Sequence, residues 1–471
     1  MSVSSSPLSP VVEFVRERAY SDDVYGMLPA ASYGSKPDTK RTFVQRTFAP
    51  LTAGGLRQSI FTLVQTALGG GVLTISYMLS LSGLGLGVGL LVAAAIVAVV
   101  SMEILMKSAY KLQTYTFSGL LAHCLGPKSG IILDVMLFLY GNGAEITYYI
   151  FLGDFFPRII QSISNGPPSW CTDAQQLRSF CLIAVFCIVL PMGMAKDLSA
   201  LRYASPFALV GIVYTSLVIA VKSPFMFEDI KNDGIEYVHL NLSICKSFSI
   251  CIFAYNCHIN VVPVAKELQR ATDVRIVKTT QSVALVQFII YIMIGVGGYL
   301  SFLQGTPQNL LSGFPATDFF ILVSRVMLSV TILVAIPSNI LPTVRSLLCL
   351  LEIPFPGLRE ESPAPLANSV DLDAAARRAK SGPNALCGRE AVRKGMTVLC
   401  LLFQMLVAMV VSDVASVVGF LGASVGTLMT TVIPTLLIHQ ACPDLYTPFK
   451  KWCVTILLVA AGSMSVASMV I

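Results

Sequence analysis

Forty-five consecutive residues, Gln58 to Met102, carry no charged side chain, and Ser82-Gly83-Leu84-Gly85 lies near their middle. A helix crossing a bilayer needs about 20 mostly apolar residues. This stretch therefore reads as two crossings joined by a tight turn. The rest of the chain agrees: 55% of the 471 residues are hydrophobic, 12% are charged, and mean hydropathy is +0.73. Soluble proteins carry roughly 25% charged residues, and one soluble core stops growing at about 250–300 residues. The balance excludes a disordered chain, a nucleic-acid binder and a small disulfide-stapled domain. What remains is an all-α polytopic membrane protein with the lipid bilayer as a partner.

Nine more apolar stretches follow the first two, so the expected spans are 58–82, 84–106, 131–156, 179–195, 203–221, 242–264, 280–303, 317–350, 396–412, 416–438 and 452–471. Eleven spans put the termini on opposite sides, and Lys and Arg mark the cytoplasmic loops. With the N-terminus inside, 26 of the 32 basic residues face the cytoplasm, five lie outside and Arg325 falls within a span. The expectation is a cytoplasmic N-terminus and an extracellular or lumenal C-terminus. The net charge of +6 is then loop bias. The chain divides into a polar tail (1–57), five spans (58–221), an outer loop (222–241), five further spans (242–438, including a cytoplasmic loop 352–395) and a last span (452–471). The tail lacks the apolar core of a signal peptide. Asn241-Leu242-Ser243 is a glycosylation sequon on the outer side.

Cys245, Cys251 and Cys257 recur every six residues, about 600° of helix rotation, so they share no face and read as apolar filler, not metal ligands. Cys171 and Cys245 both fall outside, where a disulfide between them is one reading.

Function is sought where spans are interrupted. Span 1 carries Gly69-Gly70-Gly71 at its centre. Each glycine costs about 1 kcal/mol of helix propensity. Unwinding there frees backbone groups, tolerable in lipid only when buried in protein or facing a wet cavity. Freed amides near Gly71 and Val72 suit a carboxylate. The other reading is a close helix-packing face. Span 6 crowds Tyr255, Asn256, Cys257, His258, Asn260 and Pro263 together. Pro263 removes a donor and crowds the carbonyl four residues back. Asn256 and Asn260 can satisfy freed backbone groups. Spans 1 and 6 each open a set of five, and interruptions at corresponding positions point to a secondary transporter built from inverted repeats.

In span 3, Gly141, Glu145 and Tyr148 share one face. An intramembrane carboxylate is by default a functional hypothesis. Glu145 reads as a proton carrier, a holder of a cationic substrate, or a structural partner of Arg325 or Asn142. Asp154 and Asp413 read as solvated groups near outer ends. Glu103 at an inner end reads as a partner of Lys107.

With these residues in view, the chain resembles the amino acid/auxin permease family. Gly69 to Tyr77 resembles the family's first helix. Phe253-Ala254, Cys257-His258, Val262-Pro263 and Glu267-Leu268 resemble its sixth. Gly143, Tyr148 and Gly153-Asp154 resemble its third, and Pro337, Pro342 and Arg345 the end of its eighth. The resemblance covers roughly 55–460. It implies a LeuT-type fold with a 5+5 inverted repeat and one extra helix. Helices 1, 2, 6 and 7 would move against helices 3, 4, 8 and 9. Two departures bear on coupling: Gln65 stands where sodium-coupled members have Asn, and Ala335 where they have Thr. Sodium coupling is thereby disfavoured, while proton coupling or facilitated diffusion gains. After Cys257-His258 the family has Pro-Glu; here Ile259-Asn260 follows.

The expectation is an amino acid transporter working by alternating access. Backbone amides of Gly69 to Val72 would hold the substrate carboxylate. Thr66, Tyr148, Phe253, Tyr255, Asn256 and Cys257 would complete the site, with Glu145 setting coupling or selectivity. No cofactor is implied, and a monomer suffices. The membrane is the plasma membrane or a vacuolar or lysosomal one. An amino acid sensor of the same fold is the alternative. No catalytic or phosphate-loop motif is present, so an enzyme is not expected.

Overall fold

The computed structural model describes residues 55–470 except 127–128, 165, 167, 169–170, 172, 195–203, 231–233, 270–271 and 353–382. Every regular element among these is helical, and eleven spans result when one bent pair counts as one. Span 1 is Leu56–Ala67 and Val72–Ser82, with a 59° bend between its halves. Spans 2 to 5 are Leu84–Leu112, Ser129–Ile163, Ala174–Met194 and Ala204–Ile230. Span 6 is Ser243–Ala254 plus His258–Glu267. Spans 7 to 9 are Asp273–Phe302, Phe319–Glu352 and Pro383–Val410. Span 10 is Val414–Ala441 and span 11 Pro448–Ala467.

Local chemistry sets the ends. Thr116, Thr272 and Asp413 cap helix starts by accepting from the amide three residues on. Gly83 turns the chain between spans 1 and 2 at φ 83°, where a Cβ would come within 2.8 Å of the Tyr237 backbone. Only glycine fits both demands. Residues 236–239 lie against this turn. Leu84 N–H donates to Glu236 O at 2.8 Å, and His239 N–H to Ser82 O at 2.9 Å.

Lipid tails are as apolar as leucine, so spans are held by close packing of small residues and by hydrogen bonds. A methyl at Gly141 would overlap Thr343 Oγ1, one at Gly143 would overlap Leu421, and one at Gly298 would overlap Ser76 Oγ. These contacts fix span 3 against spans 8 and 10, and span 7 against span 1. Spans 1, 2, 6 and 7 pack on one another, and spans 3, 4, 8 and 9 form a second group. That division is the one the resemblance implies. Span 10 touches both span 6 and span 3. It contains π-helical turns, beginning where Gly422 lies on Ser249 O.

Several boundaries differ from the sequence reading. Span 4 starts five residues earlier, at Ala174, and span 9 thirteen earlier, at Pro383. The polar residues Gln175, Gln176, Arg178 and Arg393 hid these turns from a hydropathy count. The outer loop assigned to 222–241 is helical to Ile230, and residues 234–240 form no regular element. Loop 352–395 shrinks to 353–382, which lies outside the described residues, as does nearly all of the 1–57 tail. Cys171 and Cys245 are both free thiols. Cys171 instead packs with Cys181 and Leu177. Glu103 does pair with Lys107, at 2.6 Å. Asp154 is not simply solvated: Asn309 Nδ2 donates to it at 2.9 Å and Arg178 Nε lies 3.7 Å away.

Candidate functional site

Span 1 unwinds at Leu68–Gly71. Leu68 forms an inverse γ-turn (φ −75°, ψ 60°), closed by Gly69 N–H donating to Ala67 O at 2.7 Å. Val72 N–H reaches Gly69 O at 3.3 Å, and Thr74 caps Gly71 O with both N–H and hydroxyl. Among the described residues, no backbone carbonyl accepts from Gly70 N–H or Gly71 N–H. The free amides thus sit at Gly70 and Gly71, at the start of the second half-helix. The Val72 amide, expected to be free, is engaged by Gly69.

Span 6 unwinds at Tyr255–Cys257, six residues before Pro263. His258 N–H donates to Asn256 Oδ1 at 3.3 Å. That oxygen is therefore an acceptor, so His258 Nδ1, 3.1 Å from it, is the ring donor. Nε2 then accepts from Ser101 Oγ of span 2 at 2.6 Å, the nearer of the two acceptors that this hydroxyl faces, Ala98 O lying 3.1 Å away. Tyr291 OH of span 7 donates to Ala254 O at 2.5 Å. Among the described residues, no backbone N–H donates to Tyr255 O or Asn256 O. Asn256 Nδ2 is buried without a partner. Asn256 thus serves the break through His258 N–H, while Asn260 serves a different group, donating to Thr66 Oγ1 at 2.9 Å.

The two breaks touch. A Cβ on Gly71 would lie 3.0 Å from Phe253 Cδ1 and 3.1 Å from Ala254 Cα. Span 3 closes the third side: a Cβ on Gly69 would lie 3.0 Å from Tyr148 OH, and one on Gly70 2.9 Å from Thr147 Cγ2 and 3.2 Å from Phe151. The glycines have helical or extended φ, so close approach is what requires them. Both readings of the glycine run meet here, since it packs tightly and also leaves amides free. Spans 1, 3 and 6 bring Gly69, Gly70, Gly71, Tyr148, Phe253 and the Asn256 backbone together. Tyr255 and Cys257 turn their side chains elsewhere, Tyr255 edge-on to Tyr291 at 5.0 Å and Cys257 Sγ 3.5 Å from Met102 Sδ. Thr66 is exposed, on the last turn before the break, with its hydroxyl bonded to Thr62 O.

Glu145 is fully buried, with neither carboxyl oxygen hydrogen-bonded among the described residues. Gln404 of span 9 and Thr343 of span 8 are its polar neighbours. Asn142 Nδ2 donates to Phe138 O, and Gln404 Nε2 donates to Asn142 Oδ1 at 3.0 Å. Gln404 Oε1 is left buried without a donor. Arg325 is not the partner of Glu145. Its guanidinium holds the carbonyls of Leu311, Phe314 and Pro315 at 2.7–3.2 Å, in the outer hairpin. Along span 8 it lies 18 residues from Thr343, about 27 Å at 1.5 Å per residue. The polar residues missed from the sequence, Ser101 and Gln404, are single polar side chains in apolar runs. That was the available signal, and it does not reveal which of them meet.

Residues 52–471 match the family model described as transmembrane amino acid transporter protein. The amino acid transporter AAT1 of Toxoplasma gondii is 31% identical over 69% of this chain and 44% of its own length. The chain spans about half the length of this relative and of two Plasmodium proteins of the same name. Vacuolar amino acid transporter 6 of Saccharomyces cerevisiae is 25% identical over 81% of this chain and 89% of its own. Among solved structures, MhsT in complex with L-phenylalanine superposes with a TM-score of 0.56 at 12% identity, covering 86% of this chain and 98% of that one. The inward-facing conformation of Mhp1 gives 0.53 at 12% identity, covering 88% and 89%. At that identity the likeness speaks for the fold, which is of LeuT type. The family match covers both broken spans and everything between them, and the chain belongs to the transmembrane amino acid transporter family.

Proposed function

We propose that the protein is a secondary transporter that carries an amino acid zwitterion by alternating access. The observation that carries this reading is the pairing of free backbone groups at the touching breaks. Gly70 and Gly71 offer N–H groups at the positive end of a half-helix, where a carboxylate is favoured. Tyr255 and Asn256 offer C=O groups at the end of the other half-helix, where an ammonium is favoured. Tyr148 and Phe253 border the space for the side chain. Asn256 Nδ2 supplies one further donor. The relatives named above as amino acid transporters support the substrate class.

Proton coupling is the preferred mode. The oxygens of Gln404 and Glu145 are both buried and without donors, and a carboxyl O–H is the group that would complete the pair. The departures at Gln65 and Ala335 argue against a sodium site. Support for a vacuolar membrane comes from the yeast relatives, called vacuolar amino acid transporters. The cytoplasmic N-terminus rests on the Lys and Arg bias, and use of Asn241 for glycosylation rests on its exposed sequon on the other side. The test is uptake of a labelled amino acid panel by proteoliposomes under separate H⁺ and Na⁺ gradients. Substrate binding without uptake would favour the sensor. Uptake driven by Na⁺ alone would overturn the coupling.

A further inference from the structure

Where span 10 turns into span 11, the chain forms a cavity of about 230 Å³ lined by His439, Pro443, Tyr446, Pro448, Lys451 and Trp452. Its charges are unbalanced. Glu103 is held by Lys107 at 2.6 Å and approached by Tyr446 OH at 3.4 Å. Asp444 is held by Lys111 at 3.4 Å. Lys450 Nζ lies 4.5 Å from the centre of the Tyr446 ring, and neither Lys450 nor Lys451 has a carboxylate partner among the described residues. His439 adds a ring, bonded through Nε2 to Thr455 at 2.8 Å and edge-on to Trp452.

The rim of the cavity is aromatic and faces outward: Phe449 is 81% exposed and Trp452 62%. Exposed aromatic rings at the first turn of a membrane span sit at headgroup depth. Trp452, Ile456 and Val459 follow at i, i+4 and i+7, and all three are exposed, so one apolar stripe descends from the cavity mouth along span 11. The first turn of span 11 adds two amides, since Thr447 makes no side-chain cap and Pro448 is the first helical residue. Cations above, aromatic rings at the interface and an apolar track below are the three parts of an acidic phospholipid in reverse order of its chemistry.

We infer that this cavity is a binding site for an anionic phospholipid. Its phosphate meets Lys450 and Lys451, its glycerol lies against Tyr446 and Trp452, and an acyl chain follows Ile456 and Val459. A soluble phosphate would need the cations but would leave the apolar stripe without a role. Basic pockets between spans on the lysine-rich side of a membrane suit such headgroups.

The test uses the full chain in nanodiscs of phosphatidylcholine with a minor fraction of phosphatidate, with bound lipid read by native mass spectrometry. Each lysine near such a surface is worth about fivefold in affinity, so K450A/K451A should retain phosphatidate about thirtyfold less well. K450R/K451R should retain it like the parent, and Trp452→Ala should weaken phosphatidate without changing the response to inorganic phosphate. Lys450 and Trp452 are exposed and Lys451 is half-buried, so folding should survive each change, as a parental melting temperature in phosphatidylcholine alone would verify. Equal retention by parent and K450A/K451A would overturn the site. Displacement of phosphatidate by inorganic phosphate at the same affinity would overturn the lipid assignment in favour of a soluble ligand.

Discussion

Asn260 Nδ2 donates a 2.9 Å hydrogen bond to Thr66 Oγ1, tying the second half of span 6 to the first half of span 1 beside both breaks. If the half-helices pivot at their breaks, as the proposed alternating access requires, this bond couples the two pivots. Thr66 Oγ1 also donates to Thr62 O, which orients it as an acceptor. A bond of this kind contributes about 0.5–1.5 kcal/mol. Asn260→Ala and Thr66→Val should each raise the rate at which a cysteine placed at position 65, half-buried on the last turn before the break, reacts with a membrane-impermeant thiol reagent. The double variant should add little to either alone. Additive effects would show that the two side chains act independently.

The glycine run makes a sharper prediction. A methyl at Gly70 meets Thr147 Cγ2 at 2.9 Å, and overpacking of this kind costs about 1–3 kcal/mol. Gly70→Leu should abolish uptake with normal surface expression. Gly70→Ala combined with Thr147→Ser should regain parental thermal stability yet stay impaired in uptake, because the side chain still crowds the amide. Full recovery of uptake would mean that the glycine serves packing alone.

Much of this site was legible in the sequence, and the limits have physical causes. Three glycines mid-span marked the first break, because backbone propensity is local. The second break was legible as the polar run Tyr255 to Pro263 but not to the residue: it falls at Tyr255–Cys257, where His258 and Tyr291 supply the bonds that hold an unwound turn. Pro263 sits inside the following helix. Side-chain direction was not legible: Tyr255 and Cys257 flank the break but point toward spans 7 and 2. Pairing of distant groups was not legible either. Arg325 and Glu145 are the notable intramembrane charges, yet the arginine binds hairpin carbonyls and the acid faces the Gln404 amide and the Thr343 hydroxyl.

The His258 chain predicts a structural cost. Ser101→Ala removes the donor to a fully buried Nε2 and leaves that nitrogen unsatisfied. The expected loss is about 1–3 kcal/mol, seen as a lower melting temperature in detergent. Ser101→Thr, which keeps the hydroxyl, should restore most of it. An unchanged melting temperature for the alanine variant would mean that another group satisfies His258.

Glu145 distinguishes a proton-coupled carrier from a facilitative one. Gln404 Nε2 gives one N–H to Asn142 Oδ1, and Asn142 Nδ2 gives one to Phe138 O, so the orientation of both amides is set from the far end of the chain. Gln404 Oε1 must accept, and the adjacent carboxyl can answer only when it carries a hydrogen. Glu145→Gln offers a permanent N–H donor of nearly the same shape. The variant should therefore fold and bind substrate like the parent. It should also exchange internal for external amino acid, because exchange needs no net proton movement. Uptake against a concentration gradient should fail, and the response to an imposed pH gradient should vanish. If Glu145→Gln still concentrates substrate under a pH gradient, the carboxyl is structural. If it loses exchange as well as uptake, the acid serves the substrate site directly.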